Sequence, residues 1–291
     1  MMKSSNAQTI CLNMIVRDES HVIKNTLTKL CDKINFDYWV ISDTGSIDNT
    51  KDIIQDFFQK RNIKGELFDD EWQNFAHNRS KALEYAYDKT DYLLIFDADD
   101  EISGNIMLPD ELTYDSYHFQ FGSSFKYTRI LLVNNRKRWK FLSVLHEFIT
   151  CIDEPHTTST ILEGDYHVVS GKIGSRNKDP DKYLKDALLL ENEHKKALKD
   201  NDPLYLRYAF YCANSYKDAN KPEDAIKWYK TTLSQDNWYQ EKYVSCRYIY
   251  HCYNQLEQQD TGFFYLVKGL TYDNERVECL YPLIEYYCGN N

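Results

Sequence analysis

Tyr92-Leu93-Leu94-Ile95-Phe96-Asp97-Ala98-Asp99-Asp100 is an apolar run that passes into acid with no spacer. A short continuous apolar segment closed by a turn signal reads as a strand buried on both faces. Such a strand needs helices packed on each side, and the residues upstream supply them. Ile10–Val16 and Tyr38–Ile41 are compact strand-like runs, and Gly65–Phe68 is a short third. Between them come three stretches with apolar residues at helical spacing: His21–Leu30, Thr50–Lys60 and Phe75–Tyr87. Strand alternating with helix predicts an α/β fold, a mostly parallel sheet flanked by helices.

In such a sheet ligands bind beyond the carboxyl ends of the strands. Arg17-Asp18-Glu19, Asp43-Thr44-Gly45-Ser46 and Asp97-Ala98-Asp99 each follow a strand directly and are expected to meet on one edge. Alternation along an extended chain points Asp97 and Asp99 the same way. Two carboxylates on one side suit a hard cation such as Mg²⁺ or Mn²⁺, which also takes phosphate oxygens. Such a cation stabilises charge on a departing diphosphate. The triplet alone reads first as a solvated turn, and it takes context to raise the metal reading above that. Asp43 is placed to accept a hydrogen bond from a nucleobase or ribose, and Gly45 lets backbone approach a ligand closely. Asp18 and Glu19 either enter the site or cap the following helix, where the dipole favours acids.

Past residue 100 the pattern changes. Tyr117–Phe121, Arg129–Val133 and Phe141–Leu145 read as strands of an antiparallel addition, the last closed by His146-Glu147. From about Asp179 the chain is helical: Tyr208, Tyr211, Ser215 and Tyr216 share one helix face, Pro222 starts the next helix, and Tyr243, Cys246, Tyr250 and Tyr253 mark a third. The step from Tyr208 to Tyr243 is close to the roughly 34-residue tetratricopeptide period. The expected organisation is a sheet domain over 1–175 and an all-α, tetratricopeptide-like domain over 176–291, divided where Gly, Ser, Asn, Asp and Pro are dense.

The net charge of −10 in 291 residues argues against a general nucleic-acid binder, because phosphate backbones reward Lys and Arg. It leaves room for a nucleotide whose diphosphate is neutralised locally by a metal. None of the eight cysteines forms a CxxC pair, so a structural zinc is not expected, and a reducing, cytoplasmic setting is. No signal-peptide pattern opens the chain, and no apolar run approaches the roughly 20 residues that span a bilayer. The 24 tyrosines crowd into the last third, where they follow helix periodicity and read as core.

Four segments taken together resemble a known family. Val16-Arg17-Asp18-Glu19, Asp43-Thr44-Gly45-Ser46-Ile47-Asp48-Asn49-Thr50, Ala76-His77-Asn78-Arg79 and Phe96-Asp97-Ala98-Asp99 are similar, in this order, to the motifs of family-two glycosyltransferases of the GT-A (Rossmann-like) fold. The resemblance covers roughly residues 8 to 170. The helical remainder, with Trp139 ahead of His146-Glu147, resembles the branch of SunS-like and lipopolysaccharide-core transferases. The resemblance implies inverting transfer of a sugar from a nucleoside diphosphate, usually a uridine one, to a glycan or protein acceptor, with Mn²⁺ or Mg²⁺. It implies that Val16, Asp18 and Glu19 line the base pocket, that Asp43 contacts uracil or ribose, and that Asn78 and Arg79 face the nucleotide, Arg79 pairing with phosphate. Asp97 and Asp99 would bind ribose and metal-diphosphate. Relatives place an acidic base after the acidic triplet. Glu147 is the candidate here, with His146 as metal or diphosphate ligand; the two roles can be exchanged, and Asp100 can contribute. His167 reads as structural. Arg176, Lys178 and Lys182 are either a solvated linker or a basic lid over the diphosphate. By family analogy the helical domain pairs two subunits.

Two other classes compete. One is a helical-repeat interaction protein with a vestigial nucleotide fold. The other is a nucleotidyltransferase, disfavoured by the lack of a glycine-rich basic loop near the start of the chain.

Overall fold

The computed structural model describes residues 8–171 and 179–289. The chain divides into two compact units, 1–178 and 179–291. The boundary expected at 175/176, and with it Arg176 and Lys178, lies outside the described residues.

In the first unit β1 (Ile10–Val16) is buried along nearly its whole length. It pairs in parallel with β2 (Tyr38–Asp43) on one side and β4 (Tyr92–Ile95) on the other, and β2 pairs in parallel with β3 (Lys64–Asp69). Helices α1 (Ile23–Cys31) and α2 (Thr50–Arg61) cover one face. Leu27, Ile54 and Phe58 pack there with Leu12, Met14 and Ile41, and Trp39 stacks on Phe58 at 4.6 Å. Helix α3 (Phe75–Ala86) covers the other face, with Leu83 and Ala86 against Cys11, Val40 and Ile95, and Tyr85 stacked on Phe68 at 3.9 Å. Alternate residues of β1 therefore feed two cores, which explains its continuous hydrophobicity. Asn13, polar and buried in the middle of β1, is satisfied by donating to the carbonyls of Val40 and Ala82 at 3.2 and 2.9 Å.

The second half of the sheet comprises β5 (Glu101–Ile106), β6 (Ser116–Phe121), β7 (Tyr127–Asn134), β10 (Ser159–Ile161) and β11 (Gly164–Val169), giving the order β3-β2-β1-β4-β7-β6-β11-β5 with β10 beside β6. The whole is the mixed sheet expected, and the antiparallel addition also contains parallel pairs. β7 runs antiparallel to β4 and β6, and β5 antiparallel to β11, but β10 and β11 are parallel to β6. The strand expected over 141–145 is instead β8 (Trp139–Leu142), which forms a separate hairpin with β9 (Phe148–Cys151). The chain turns between them, with Ser143 and His146 at φ 76° and 52°.

The second unit is a run of helices: α4 (Lys182–Lys199), α5 (Leu204–Asp218), α6 (Pro222–Ser234), α7 (Tyr239–Gln255), α8 (Gln259–Tyr272) and α9 (Leu280–Gly289). Each packs on the next, and α5 also meets α7. Tyr208 on α5 and Tyr243 on α7 are both buried. Among the described residues no helix is long and apolar enough to cross a membrane.

Candidate active site

The carboxyl ends of β1, β2 and β4 open onto a cavity of about 630 Å³. Val16, Asp18, Glu19, Thr44, Arg79, Asp97 and Asp99 line it, so the three post-strand clusters do converge. Two of them are stitched together. The Asp18 N–H donates to the Ser46 hydroxyl at 2.9 Å, and the Asp18 carboxylate accepts from Ile47 N–H at 2.8 Å. The N–H groups of Glu19 and Ser20 reach Thr50 and Asp48 at 2.8 and 3.1 Å. Asp18 thus joins two loops and caps no helix: α1 starts at Ile23, and Asp18 itself has φ 53°. Burial works to raise the Asp48 carboxyl, but hydrogen bonds from Thr50 and Ser20 outweigh it and bring it down to about 2.

Asp43 ends β2 with its side chain fully buried, behind the cavity-lining Thr44. Its Oδ1 accepts from the N–H groups of Gly45 and Ser46 at 2.9 and 2.7 Å, a turn that needs Gly45 at φ 103°. Its Oδ2 is buried and has no hydrogen-bond partner among the described residues. Asp43 is not itself among the residues lining the cavity, but a buried carboxylate oxygen without a donor is costly, and one next to the lining residue Thr44 fits a donor arriving with a ligand.

Asp97, Ala98 and Asp99 do not continue β4, which ends at Ile95. They form a turn closed by Asp100 N–H on the Asp97 carbonyl at 3.2 Å. The expectation from strand alternation is therefore replaced by a turn that brings Asp97, Asp99 and Asp100 to the cavity wall. Burial raises the Asp100 carboxyl, and the Asp97 charge adds to it, pushing it up to about 7. Asp100 accepts from Gly171 N–H at 3.0 Å. Gly171 lies so close to the acidic turn that a Cβ there would overlap the Asp99 carbonyl.

Arg79 is buried on α3. Its Nη2 donates to Asp97 and its Nε to Glu147, at 2.5 and 2.9 Å. Burial opposes charge on Asp97, but Arg79 and then Arg129 outweigh it and hold that carboxyl below its ordinary value. Arg79 therefore unites Asp97 with Glu147, a connection invisible in sequence. Neither Glu147 nor His146 is among the residues lining the cavity. Asn78 is not either. Its amide serves the loop before α3, accepting from Gln73 N–H and donating to the Glu71 carbonyl, each at 3.0 Å. His167 lies on β11 opposite Ser103. Lys182 begins α4, in the other unit. Trp72 and Phe75, for which the sequence offers no signal beyond their aromatic character, also line the cavity.

Among the described residues no three His, Cys, Asp or Glu side chains are gathered to hold a metal, so Asp97, Asp99 and His146 are not a preformed triad. Asp97 and Asp99 still fit one. Hard divalent cations of the Mg²⁺ type use one or two carboxylates and complete their shell with water and substrate phosphate.

Residues 11–118, within the first unit, match the profile of glycosyl transferase family 2. No relative is found among curated proteins. Three solved structures are distantly similar. The mannosyltransferase PcManGT of Pyrobaculum calidifontis, in complex with GDP-Man and Mn²⁺, is 13% identical with a TM-score of 0.43, over 91% of this chain and 88% of that one. TarS 1–349 of S. aureus, in complex with UDP-GlcNAc, is 12% identical at 0.42, over 87% and 90%. GalNAc-T7 with UDP, GalNAc and Mn²⁺ is 14% identical at 0.30, over 34% of this chain and 20% of that one.

Proposed function

We propose that the protein transfers a sugar, with inversion, from a uridine diphosphate donor to a glycan or protein acceptor, assisted by Mn²⁺ or Mg²⁺. The observation that carries this reading is the pairing, across the end of β1, of an acidic turn at Asp97–Asp99 with the unpartnered buried oxygen of Asp43. The imide N–H of uracil, or a ribose hydroxyl, supplies the donor that Asp43 Oδ2 lacks. Val16, Asp18 and Glu19 form the floor between. Asp97 and Asp99 would hold the cation together with the diphosphate oxygens, and the cation would offset charge on the leaving group. Glu147 is assigned as the base that takes the acceptor proton, with His146 beside it for the metal or diphosphate. The bond from Arg79 fixes the Glu147 carboxylate in place, and a phosphate entering the cavity would be a third anion for Arg79, beside Asp97 and Glu147. The helical unit is assigned as tetratricopeptide-like, a homodimer surface or acceptor selector, in a cytoplasmic enzyme; a monomeric mass in light scattering would remove the dimer.

Calorimetric titration with UDP and Mn²⁺ is the first test, and absence of binding would favour an interaction protein over an enzyme. Asp99→Ala should abolish metal-dependent donor turnover with the circular dichroism unchanged. Glu147→Gln should keep donor binding and lose transfer; normal transfer would remove Glu147 as base.

A further inference from the structure

One wall of the cavity takes no part in the chemistry above. Trp72 and Phe75 line it, edge to face with centroids 4.8 Å apart. Trp72 keeps 37% of its surface exposed, although indole is among the most apolar surfaces a protein can bury. The loop carrying it is held firmly. Asn78 is completely buried, and its amide is bonded to the two residues on either side of Trp72: the Glu71 carbonyl and the Gln73 N–H. Asn74 fixes the loop a second time, its side chain capping α3 at His77 N–H, 2.9 Å away. A buried amide that clamps both flanks of a single exposed indole makes sense when the direction of that indole matters.

The sheet order says which part of a ligand would meet it. Along β3-β2-β1-β4 the acidic turn follows β4, whereas Trp72 follows β3. Asp69 at the end of β3 is the register partner of Asp43, and Asp70 N–H donates to the Asp43 carbonyl at 2.8 Å. Trp72 and Asp43 thus share one end of the site. The ends of β3 and β4 are three strand spacings apart, about 14 Å. A nucleoside diphosphate with its phosphates at Asp97 and Asp99 carries its base toward Trp72.

We propose that Trp72 is the stacking face for the nucleobase of the donor, and that Asn78 is the residue positioning it. This rests on the nucleotide-sugar reading above, which puts the base or ribose at Asp43, and adds the face on which the base stacks and what holds that face. Phe75, edge-on to the indole, limits its rotation. The expectation that Asn78 faces the nucleotide is thereby replaced: Asn78 acts through Trp72.

The test is titration of the full chain, with Mn²⁺ present, by UDP, UMP and pyrophosphate. Stacking on one base predicts that Trp72→Ala weakens UDP and UMP by about ten- to a hundredfold, leaves pyrophosphate unchanged, and that Trp72→Phe restores most of the loss. UDP should quench tryptophan fluorescence in the wild type and much less in Trp72→Phe. Asn78→Ala should weaken UDP as well, but add little in the Trp72→Ala background, because the two act as one unit. Should Asn78→Ala fail to fold, the Trp72→Ala and Trp72→Phe titrations alone decide the assignment. Unchanged UDP affinity in Trp72→Ala, or equal losses for UDP and pyrophosphate, overturns the assignment while leaving the nucleotide-sugar reading intact. No binding of UDP by the wild type would overturn both.

Discussion

In the helical unit Tyr229 is completely buried, and its hydroxyl donates to Asn214 on the preceding helix at 2.7 Å. In the sheet unit Asp43 is equally buried, and one of its carboxylate oxygens has no hydrogen-bond partner among the described residues. The contrast extends to their neighbours. Tyr216 donates to Glu191 at 2.8 Å, and Tyr243 accepts from Cys279 N–H at 2.9 Å, so these hydroxyls tie a helix to its neighbour or to the turn before α9. In the sheet unit Asn78, Arg79 and Asp100 are also buried, but they gather near one end of the strands and hold loops and acids around a cavity. A surplus of polar aromatics is therefore architecture here, and the few buried charges are the site. Density of polar residues misleads about function. A missing partner alone does not point to it either, since Gln235 and Asn237 of the helical unit also bury an oxygen with no hydrogen-bond partner among the described residues; what sets Asp43 apart is its place at a strand end next to the cavity-lining Thr44.

The largest effect expected from this contrast is that of Arg79→Ala. It leaves Asp97 and Glu147 facing each other without their shared cation, and loss of one partner from a buried ion pair costs about 3–5 kcal/mol. Urea unfolding should show that loss together with lost donor turnover, and a stability within about 1 kcal/mol of wild type would show that the acids do not depend on Arg79. Next is the ligand itself. UDP with Mn²⁺ at a hundredfold excess over its Kd should stabilise the protein by about 2.7 kcal/mol; a thermal scan unmoved by saturating UDP would separate binding from the folded state. Tyr243→Phe removes the acceptor of the buried Cys279 N–H and should cost about 1–3 kcal/mol while leaving UDP affinity unchanged. A shift in UDP affinity would show that the helical unit is not mere architecture toward the site.

The smallest effect concerns pH. His194 is buried edge-on to Trp228 at 4.9 Å with its Nε2 3.1 Å from Gln235. Burial, aided by Lys195 and opposed by Glu191, lowers its pKa from 6.5. A depressed pKa means stability that is full above 6.5 and is lost as pH falls through the lower folded value. His194→Phe keeps a ring against Trp228 and takes no proton, so its stability should fall less steeply than wild type below that pH. Parallel pH profiles would show that His194 does not report on the helical core.

The parallel half of the sheet is readable because its strands are covered on both faces. β1, β2 and β4 have no polar face, so periodicity and composition agree, and α1 to α3 lie within a few residues of where apolar spacing puts them. β5 defeats both signals. At the edge of the sheet only Ile102 is buried, and Gly104 sits at φ 85° inside the strand. The false extension to Leu145 has a similar origin: Phe141 and Leu145 are apolar, but Ser143 at positive φ breaks the strand between them, and serine gives no warning of that. At the site, clustering after strand ends is legible because it follows from topology. The bond from Arg79 to Glu147 is not, since it joins residues 68 apart whose proximity depends on the β8–β9 hairpin folding over α3. Asn78 resembles any polar helix residue until its two backbone partners are seen.

Gly171 carries a consequence for anyone altering this enzyme. With no room for even a methyl group beside the Asp99 carbonyl, the position separates two halves of the site. Gly171→Ala forces the acidic turn and the Gly171 backbone apart, yet it lies on the far side of β1 from Asp43 and Trp72. It is thus the substitution of choice for a decoupled protein, one that still grips a nucleoside but has lost its hold on the diphosphate. Such a protein would be a binding reagent made from an enzyme by the addition of a single carbon.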